Sequence, residues 1–219
     1  MPVILFVNSF DWMTGESQLT VSKSKSEMSR ARILDAARDS ILSRGFAAMT
    51  VDAVCQSAGI TKGGFFYHFD SKDQLGEAAL AKFWGDAEER QAKAPFNQAS
   101  DPIQFLEGYL DFAIEAYQDP ELQKGCMLAI FTMELAESNE QLFNAAAKHF
   151  AGWRASLLEM FERAAAHSGQ RIDAHAWSDL YISTLEGALL LAKSNNDPEA
   201  IKRSLTLYKS LLMQSLAAG

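Results

Sequence analysis

Apolar residues recur along this chain with the period of an amphipathic helix, about 3.6 residues, from Ser29 to the C-terminus. Segments in which β-branched and polar residues alternate, as they do in half-buried strands, are absent. Asp101-Pro102 and Asp197-Pro198 are typical helix starts, and Gly45 and Gly169 are typical helix ends. The pattern therefore predicts an all-α protein of about nine helices.

The stretch from Thr50 to Lys72, TVDAVCQSAGITKGGFFYHFDSK, has the pattern of two short helices joined by a tight turn. Its apolar residues between Val51 and Ala58 are spaced so that the first helix buries one face. Gly59 allows the turn, and Thr61 begins a second helix. That helix is expected to present Lys62, Tyr67 and His68, with Lys72 just beyond it. This arrangement is typical of a helix-turn-helix, in which the second helix enters the major groove of DNA.

The same region resembles the TetR (tetracycline-repressor-like) family of regulators over about residues 27–87. The resemblance rests on many residues that agree in order and spacing: Arg32-Ile33-Leu34-Asp35-Ala36-Ala37, Gly45-Phe46, Thr50, Ala58-Gly59-Ile60, Lys62-Gly63, Phe69, Ser71-Lys72 and Leu75. It implies an N-terminal three-helix DNA-binding domain over residues 27–87, with the helix-turn-helix at about 50–69. It also implies an α-helical ligand-binding and dimerisation domain over residues 88–219.

The residues expected to contact DNA are Thr50, Thr61, Lys62, Gly63, Gly64, Phe65, Tyr67, His68 and Lys72. Lysines neutralise phosphates, hydroxyl and imidazole groups bond to phosphates or base edges, and glycines allow close approach to the groove. One departure from the family pattern matters. Where the family commonly has Thr or Ser, an apolar residue and Tyr, this chain has Gly64, Phe65 and Phe66, so Tyr67 and His68 are expected to carry more of the contact.

The net charge of −8 argues at first against a nucleic-acid partner. Residues 1–75, however, hold eight basic and eight acidic side chains, whereas residues 76–219 hold twelve basic and twenty acidic ones. The excess negative charge therefore lies in the body, and the N-terminal part can approach phosphates.

Residues 1–26 have no sustained period and are expected to form a flexible tail. The alternative is a basic arm in which Lys23 and Lys25 touch the DNA backbone. The apolar run 3–7 is too short for a signal peptide, and no apolar stretch is long enough to cross a bilayer. We therefore expect a cytoplasmic protein, associated with the nucleoid through DNA and without a membrane partner.

The body is unusually rich in aromatic residues and methionine, which commonly line adaptable apolar pockets. The residues predicted to line a ligand pocket are Phe105, Tyr109, Phe112, Met127, Phe131, His149, Trp153 and Tyr181. Packing in an ordinary core is the alternative for each of them. The helices expected over about 173–193 and 198–217 are apolar on more than one face, which favours a homodimer through a four-helix bundle over burial within one monomer.

Cys126 follows Lys124 at an expected helix start, and both features lower the pKa of a thiol. This makes Cys126 a possible redox sensor, with a packed structural cysteine as the alternative. The histidines lack the spacing of a metal site, and no enzymatic motif is present, so we expect no metal, no cofactor and no catalytic residues.

Together these observations predict a DNA-binding transcriptional regulator, and most simply a repressor that a small-molecule inducer releases from a palindromic operator. Two alternatives are kept. One combines the same DNA-binding domain with thiol-based sensing at Cys126, and the other is an all-α enzyme or carrier that does not bind DNA.

Overall fold

The computed structural model describes residues 24–217, and within them it contains nine α-helices, two 3₁₀ turns and no strand. The predicted all-α class is therefore confirmed. The α-helices are α1 Lys25–Arg44, α2 Val51–Ala58, α3 Lys62–Phe66, α4 Lys72–Ala92, α5 Pro102–Ala116, α6 Met127–Leu135, α7 Glu140–Ser168, α8 Ala174–Asn195 and α9 Glu199–Ala217. The 3₁₀ turns are Pro95–Gln98 and Leu122–Lys124.

The first helix begins two residues earlier than the sequence pattern predicts. Ser24 accepts a hydrogen bond from the Glu27 backbone N–H, while the Glu27 carboxylate accepts one from the Ser24 N–H, which completes a capping box. Lys25 therefore lies in α1 and not in a tail. The rest of the predicted tail, including Lys23, lies outside the described residues.

The turn between α2 and α3 requires a glycine. Gly59 ends α2 with φ of 63°, in the left-handed region that side chains disfavour. Thr61 then caps α3, which ends after only five residues at Phe66. Tyr67 and His68 consequently lie in the turn after α3. The sequence pattern predicts them on the face of this helix, and that prediction is wrong.

The buried apolar residues form two hydrophobic cores. The first joins α1–α4 to α6 and the N-terminal half of α7, with Ile33, Ile41, Phe65, Leu75 and Phe131 among its fully buried residues. The second lies between α5, the C-terminal half of α7, α8 and α9. Helix α6 therefore packs against the head, the unit formed by α1–α3 and the first half of α4, although the sequence places α6 in the body.

Helices α8 and α9 are consecutive, joined by a short turn at Asn196, and pack along each other. Their outward faces carry large apolar side chains: Leu180, Leu190, Leu191, Leu207 and Leu211. Within residues 24–217, no helix combines the length and apolar character that a membrane span needs.

Candidate DNA interface and ligand cavity

Two threonines set the start of the helix-turn-helix pair. Thr50 Oγ1 accepts a hydrogen bond from the Ala53 N–H at 3.2 Å, and Thr61 Oγ1 accepts one from the Gly64 N–H at 3.1 Å. Each bond satisfies a backbone donor in the first turn of a helix. Because each threonine is exposed and its hydroxyl hydrogen is not used in the cap, both remain able to donate to a phosphate.

The surface around α3 presents Lys62, Gly63, Phe66 and Tyr67 to solvent, with Gly64 half-buried beside them. Tyr67 is 75% exposed. The Lys62 ammonium lies 2.8 Å from the Asp52 carboxylate on α2, and both side chains are exposed. Since an exposed ion pair contributes only about 0–1 kcal/mol, a DNA phosphate can replace Asp52 as the partner of Lys62. The sequence pattern did not predict this pair.

The prediction that Phe65 contacts DNA is wrong for its side chain. Phe65 is fully buried in the core of the head, where its ring packs on Phe69 with centroids 5.9 Å apart. The residue that points outward is its neighbour Phe66, which is 54% exposed. Phe65 and Phe66 are neighbours in a short helix, so rotating the helix by one residue would bury Phe66 and expose Phe65.

His68 and Lys72 hold the head together as well as lying near its surface. The His68 Nε2 lies 2.6 Å from the Ser29 hydroxyl on α1. The Lys72 ammonium donates to the Ala47 carbonyl at 3.0 Å and lies 4.6 Å from the centre of the Phe46 ring. Substituting either residue would therefore change the head itself, which makes both poor probes of DNA contact.

An aromatic cavity lies in the body, between α4, α5, α7, α8 and the segment that precedes α6. The space between its walls, together with the part open to solvent, is about 770 Å³. The lining residues are Phe83, Trp84, Ala87, Arg90, Gln91, Tyr109, Phe112, Ala113, Ala116, Tyr117, Leu122, Gly125, Cys126, Leu128, Trp153, Tyr181 and Leu185.

Four of the residues predicted for a pocket lie in this lining: Tyr109, Phe112, Trp153 and Tyr181. Three of them are linked by polar contacts. The Trp153 indole N–H donates to the Tyr109 hydroxyl oxygen at 3.3 Å, and the Tyr109 and Tyr181 hydroxyls hydrogen-bond to each other. Burial raises the pKa of both phenols, so they stay neutral at physiological pH.

The other four predicted pocket residues lie elsewhere. Met127 and Phe131 are fully buried in the core shared by the head and α6. Phe105 packs on Phe96 outside the cavity, and His149 lies against Trp84, with 5.3 Å between their ring centres. Helix α6 packs its apolar side against α1, α4 and α7, so its large apolar residues fill a core.

Sequence reasoning missed the contribution of α4 to the cavity. Phe83, Trp84, Ala87 and Arg90 come from the second half of this helix. Leu75, Ala79 and Phe83 form one apolar stripe along this helix. The available signal was a second set of apolar residues displaced around the helix, which indicates that two different surfaces cover it.

The expected low pKa of Cys126 is contradicted. Burial and the Glu186 carboxylate raise the pKa of the Cys126 thiol well above its usual value, and these effects outweigh hydrogen bonding from the backbone at the start of α6. Lys124 instead pairs with Glu121 at 2.7 Å and lies 3.7 Å from Asp39. At neutral pH the thiol is therefore protonated, and the protonated form is a poor nucleophile.

We expect Cys126 to react with iodoacetamide at pH 7.5 at least about tenfold more slowly than a free cysteine, because a raised pKa lowers the thiolate fraction. The rate should keep rising as the pH increases past the ordinary thiol pKa. Mass spectrometry of a Cys55→Ser variant, in which Cys126 is the single thiol, measures this rate. A rate at pH 7.5 that equals or exceeds that of free cysteine would restore the sensor hypothesis.

In the part of the chain that the structure describes, no group of three or more His, Cys, Asp or Glu side chains could hold a metal ion. Cys55 is buried in the head and is not paired with Cys126.

Two family models match successive parts of the chain. The model for "Bacterial regulatory proteins, tetR family" matches residues 33–79. The model for "Transcriptional regulator LmrA/YxaF-like, C-terminal domain" matches residues 102–205, which include all of the cavity-lining helices α5 and α8.

Individual relatives are distant but cover most of the chain. The HTH-type transcriptional repressor DhaR of Mycobacterium sp. (strain GP1) is 23% identical over 190 residues, which is 85% of this chain and 93% of DhaR. The HTH-type regulator YxaF of Bacillus subtilis (strain 168) is 24% identical over 171 residues, 77% of this chain and 87% of YxaF. A TetR transcriptional regulator of Chloroflexus aurantiacus J-10-FL has a similar fold, with a TM-score of 0.76, 24% identity and coverage of 87% of this chain and 97% of that one.

Proposed function

The chain belongs to the TetR family of DNA-binding transcriptional regulators, which are not enzymes, and from this premise we propose that it is a repressor released from a palindromic operator by a small molecule. The small molecule binds in the aromatic cavity. The operator-binding surface is formed by α3 and the turn after it, with Lys62 and Tyr67 among its exposed polar side chains.

The observation that carries this proposal is the path of α4. Its first half is part of the head, where Leu75 and Ala79 are buried in the core. Its second half forms one wall of the cavity through Phe83, Trp84 and Arg90. A ligand that displaces the second half therefore acts on the same rigid helix that supports the DNA-binding head.

Further contacts tie the head to the body. The Glu134 carboxylate on α6 accepts a hydrogen bond from the Ala47 N–H at 2.9 Å, in the loop that leads to α2. The Lys193 ammonium on α8 donates to the Leu42 carbonyl at 3.0 Å. Because the head is held at several points, a shift in the body changes the orientation of the whole head.

A homodimer through α8 and α9 is part of the same proposal. The exposed leucines on these helices would be covered by the same face of a second copy, as in an isologous four-helix bundle. Two heads must then match half-sites about 34–36 Å apart. A small change in their separation is enough to abolish the fit, so a ligand releases the operator by its higher affinity for the mismatched state. A cytoplasmic location follows from this function.

The rival hypotheses have less support. A thiol sensor at Cys126 requires a thiolate that the surroundings of Cys126 disfavour. The hypothesis of an enzyme or carrier that does not bind DNA gives no role to the exposed side chains of Lys62 and Tyr67.

We expect the wild-type protein to bind a sequence near its own gene selectively, with an affinity that falls steeply as salt increases. Tyr67→Ala should weaken this binding about tenfold, because it removes a hydroxyl and a ring from the DNA-binding surface. The substitution should change the fold little, since the Tyr67 side chain is exposed. Fluorescence anisotropy with a labelled duplex measures both effects.

The matched control is Tyr117→Ala, which removes the same side chain from the cavity and leaves the DNA-binding surface intact. Its operator affinity should lie within a factor of about three of the wild type. Absence of sequence-selective binding by the wild-type protein would refute the proposed function.

A further inference from the structure

We propose that the ligand of the cavity is an organic cation, an aromatic or alkyl body that carries an ammonium group, and that the Glu186 carboxylate selects its charge. This inference rests on the proposed function, since it names the chemical class of the molecule that releases the operator.

The cavity walls are suited to a cation because aromatic rings come from four different helices. Trp84 on α4, Phe112 on α5, Trp153 on α7 and Tyr181 on α8 all line it, as does Tyr117 directly after α5. The faces of such rings carry negative potential, and they attract an ammonium group most strongly where water is excluded. Aromatic rings alone would also accept a neutral apolar ligand, so the charge must be argued from a second feature.

That feature is Glu186 on α8, one residue beyond the cavity-lining Leu185. Its Oε1 atom is buried and has no hydrogen-bond partner among the described residues. The Cys126 thiol, which lines the cavity, lies close enough to this carboxyl group for each to affect the pKa of the other. The Tyr117 hydroxyl is also close enough for the carboxylate to influence its titration. Glu186 thus lies immediately behind two side chains of the cavity wall.

A buried carboxylate without a cationic partner is unfavourable, and proteins normally pair such a group. In the part of the chain that the structure describes, no Lys, Arg or His lies within 4.0 Å of Glu186. Burial raises the pKa of the Glu186 carboxyl, and an ammonium group in the cavity would favour its charged form again. A ligand cation would therefore supply the partner that the protein lacks.

The remaining charges are consistent with this assignment. Arg90 is the single basic residue in the lining, and because its side chain is exposed, solvent screens its charge. The segment 76–219 carries twenty acidic against twelve basic residues, and this excess favours the approach of cations over anions.

The test compares two probes of the same shape. Benzyltrimethylammonium and neopentylbenzene differ only in that a quaternary nitrogen replaces a quaternary carbon. The fluorescence of Trp84 and Trp153, which line the cavity, reports binding of each to the full chain. We expect the cation to bind at least about tenfold more tightly than the hydrocarbon.

Glu186→Gln should remove most of this preference, weakening the cation about tenfold and changing the affinity of the hydrocarbon less than about threefold. The control is Glu162→Gln on the exposed side of α7, which changes the net charge equally and should keep the preference. Equal or tighter binding of the hydrocarbon by the wild-type protein overturns the proposal, with no variant required. So does retention of the preference by a folded Glu186→Gln protein, or absence of binding by the cation at millimolar concentration.

An anion of similar size, 3-phenylpropionate, tests the opposite assignment, in which Arg90 selects a negative charge. Tighter binding of this anion than of the cation would overturn the proposal.

Operator binding is measured separately on the same protein. If the hydrocarbon binds as tightly as the cation while operator binding is intact, only the cation proposal fails. If no operator is bound, the proposed function fails, whatever the probes show.

Discussion

A Leu190→Glu, Leu207→Glu double variant is expected to be a folded monomer that binds its operator about a thousandfold more weakly than the wild type. Leu190 is 68% exposed on α8 and Leu207 is 61% exposed on α9. Because both side chains already face solvent within one chain, glutamate there costs the monomer little. In a dimer through this face, four carboxylates would be buried against apolar surface, which is strongly unfavourable.

The loss of operator affinity follows from the loss of avidity. When two heads are joined, binding of the second half-site is intramolecular, and this gains about 10² to 10⁴ in affinity. Sedimentation velocity measures the oligomeric state, and anisotropy with full-length and half-site duplexes measures the affinity. Affinity for a single half-site should change little, because the head is unaltered.

Met133→Glu is the control for this experiment. Met133 is 84% exposed on α6, away from α8 and α9, so the variant places the same charge on another exposed apolar residue. It should remain a dimer and keep its operator affinity. A dimeric double variant would show that subunits associate through another surface.

Phe131→Ala is expected to lower the free energy of unfolding by about 3–5 kcal/mol, as truncation of a fully buried phenylalanine usually does. Phe131 lies in the core shared by α1, α4 and α6, and its ring meets the edge of Phe46 with 5.1 Å between centroids. The alanine would leave a cavity between the head and α6. Chemical denaturation followed by circular dichroism measures the loss.

Phe66→Ala makes the same substitution at the half-exposed last residue of α3. It should change the free energy of unfolding by less than about 0.5 kcal/mol and weaken operator binding instead. The pair separates the two roles that phenylalanine plays in this chain. If Phe131→Ala lowers the free energy of unfolding by less than about 1 kcal/mol, the surroundings of Phe131 are open, as they would be in a ligand pocket.

The helices could be predicted well from the sequence because their limits depend on local interactions. Thr50, Thr61, Asp101 and Asp173 each cap a helix with their own side chain. Gly59 permits a backbone conformation that few other residues adopt. The start of α1 was missed because its capping box, formed by Ser24 and Glu27, lies in a polar stretch without apolar period.

The site could be predicted only in part. Tyr109, Trp153 and Tyr181 line the cavity as expected, whereas Met127 and Phe131 do not. An apolar face on a helix shows that something covers it, but it does not show whether the cover is another helix or an enclosed space.

The sequence by itself determined the all-α fold, the helix-turn-helix and the family, because these depend on local propensity and on the order and spacing of residues. The tertiary structure alone decided that Phe65 is buried while Phe66 is exposed, and that α4 reaches the cavity. It also decided that burial, and after it the carboxylate of Glu186 sixty positions away in the chain, raise the pKa of Cys126. Burial and electrostatic contact depend on which helices meet, and that is set by the packing of the whole chain.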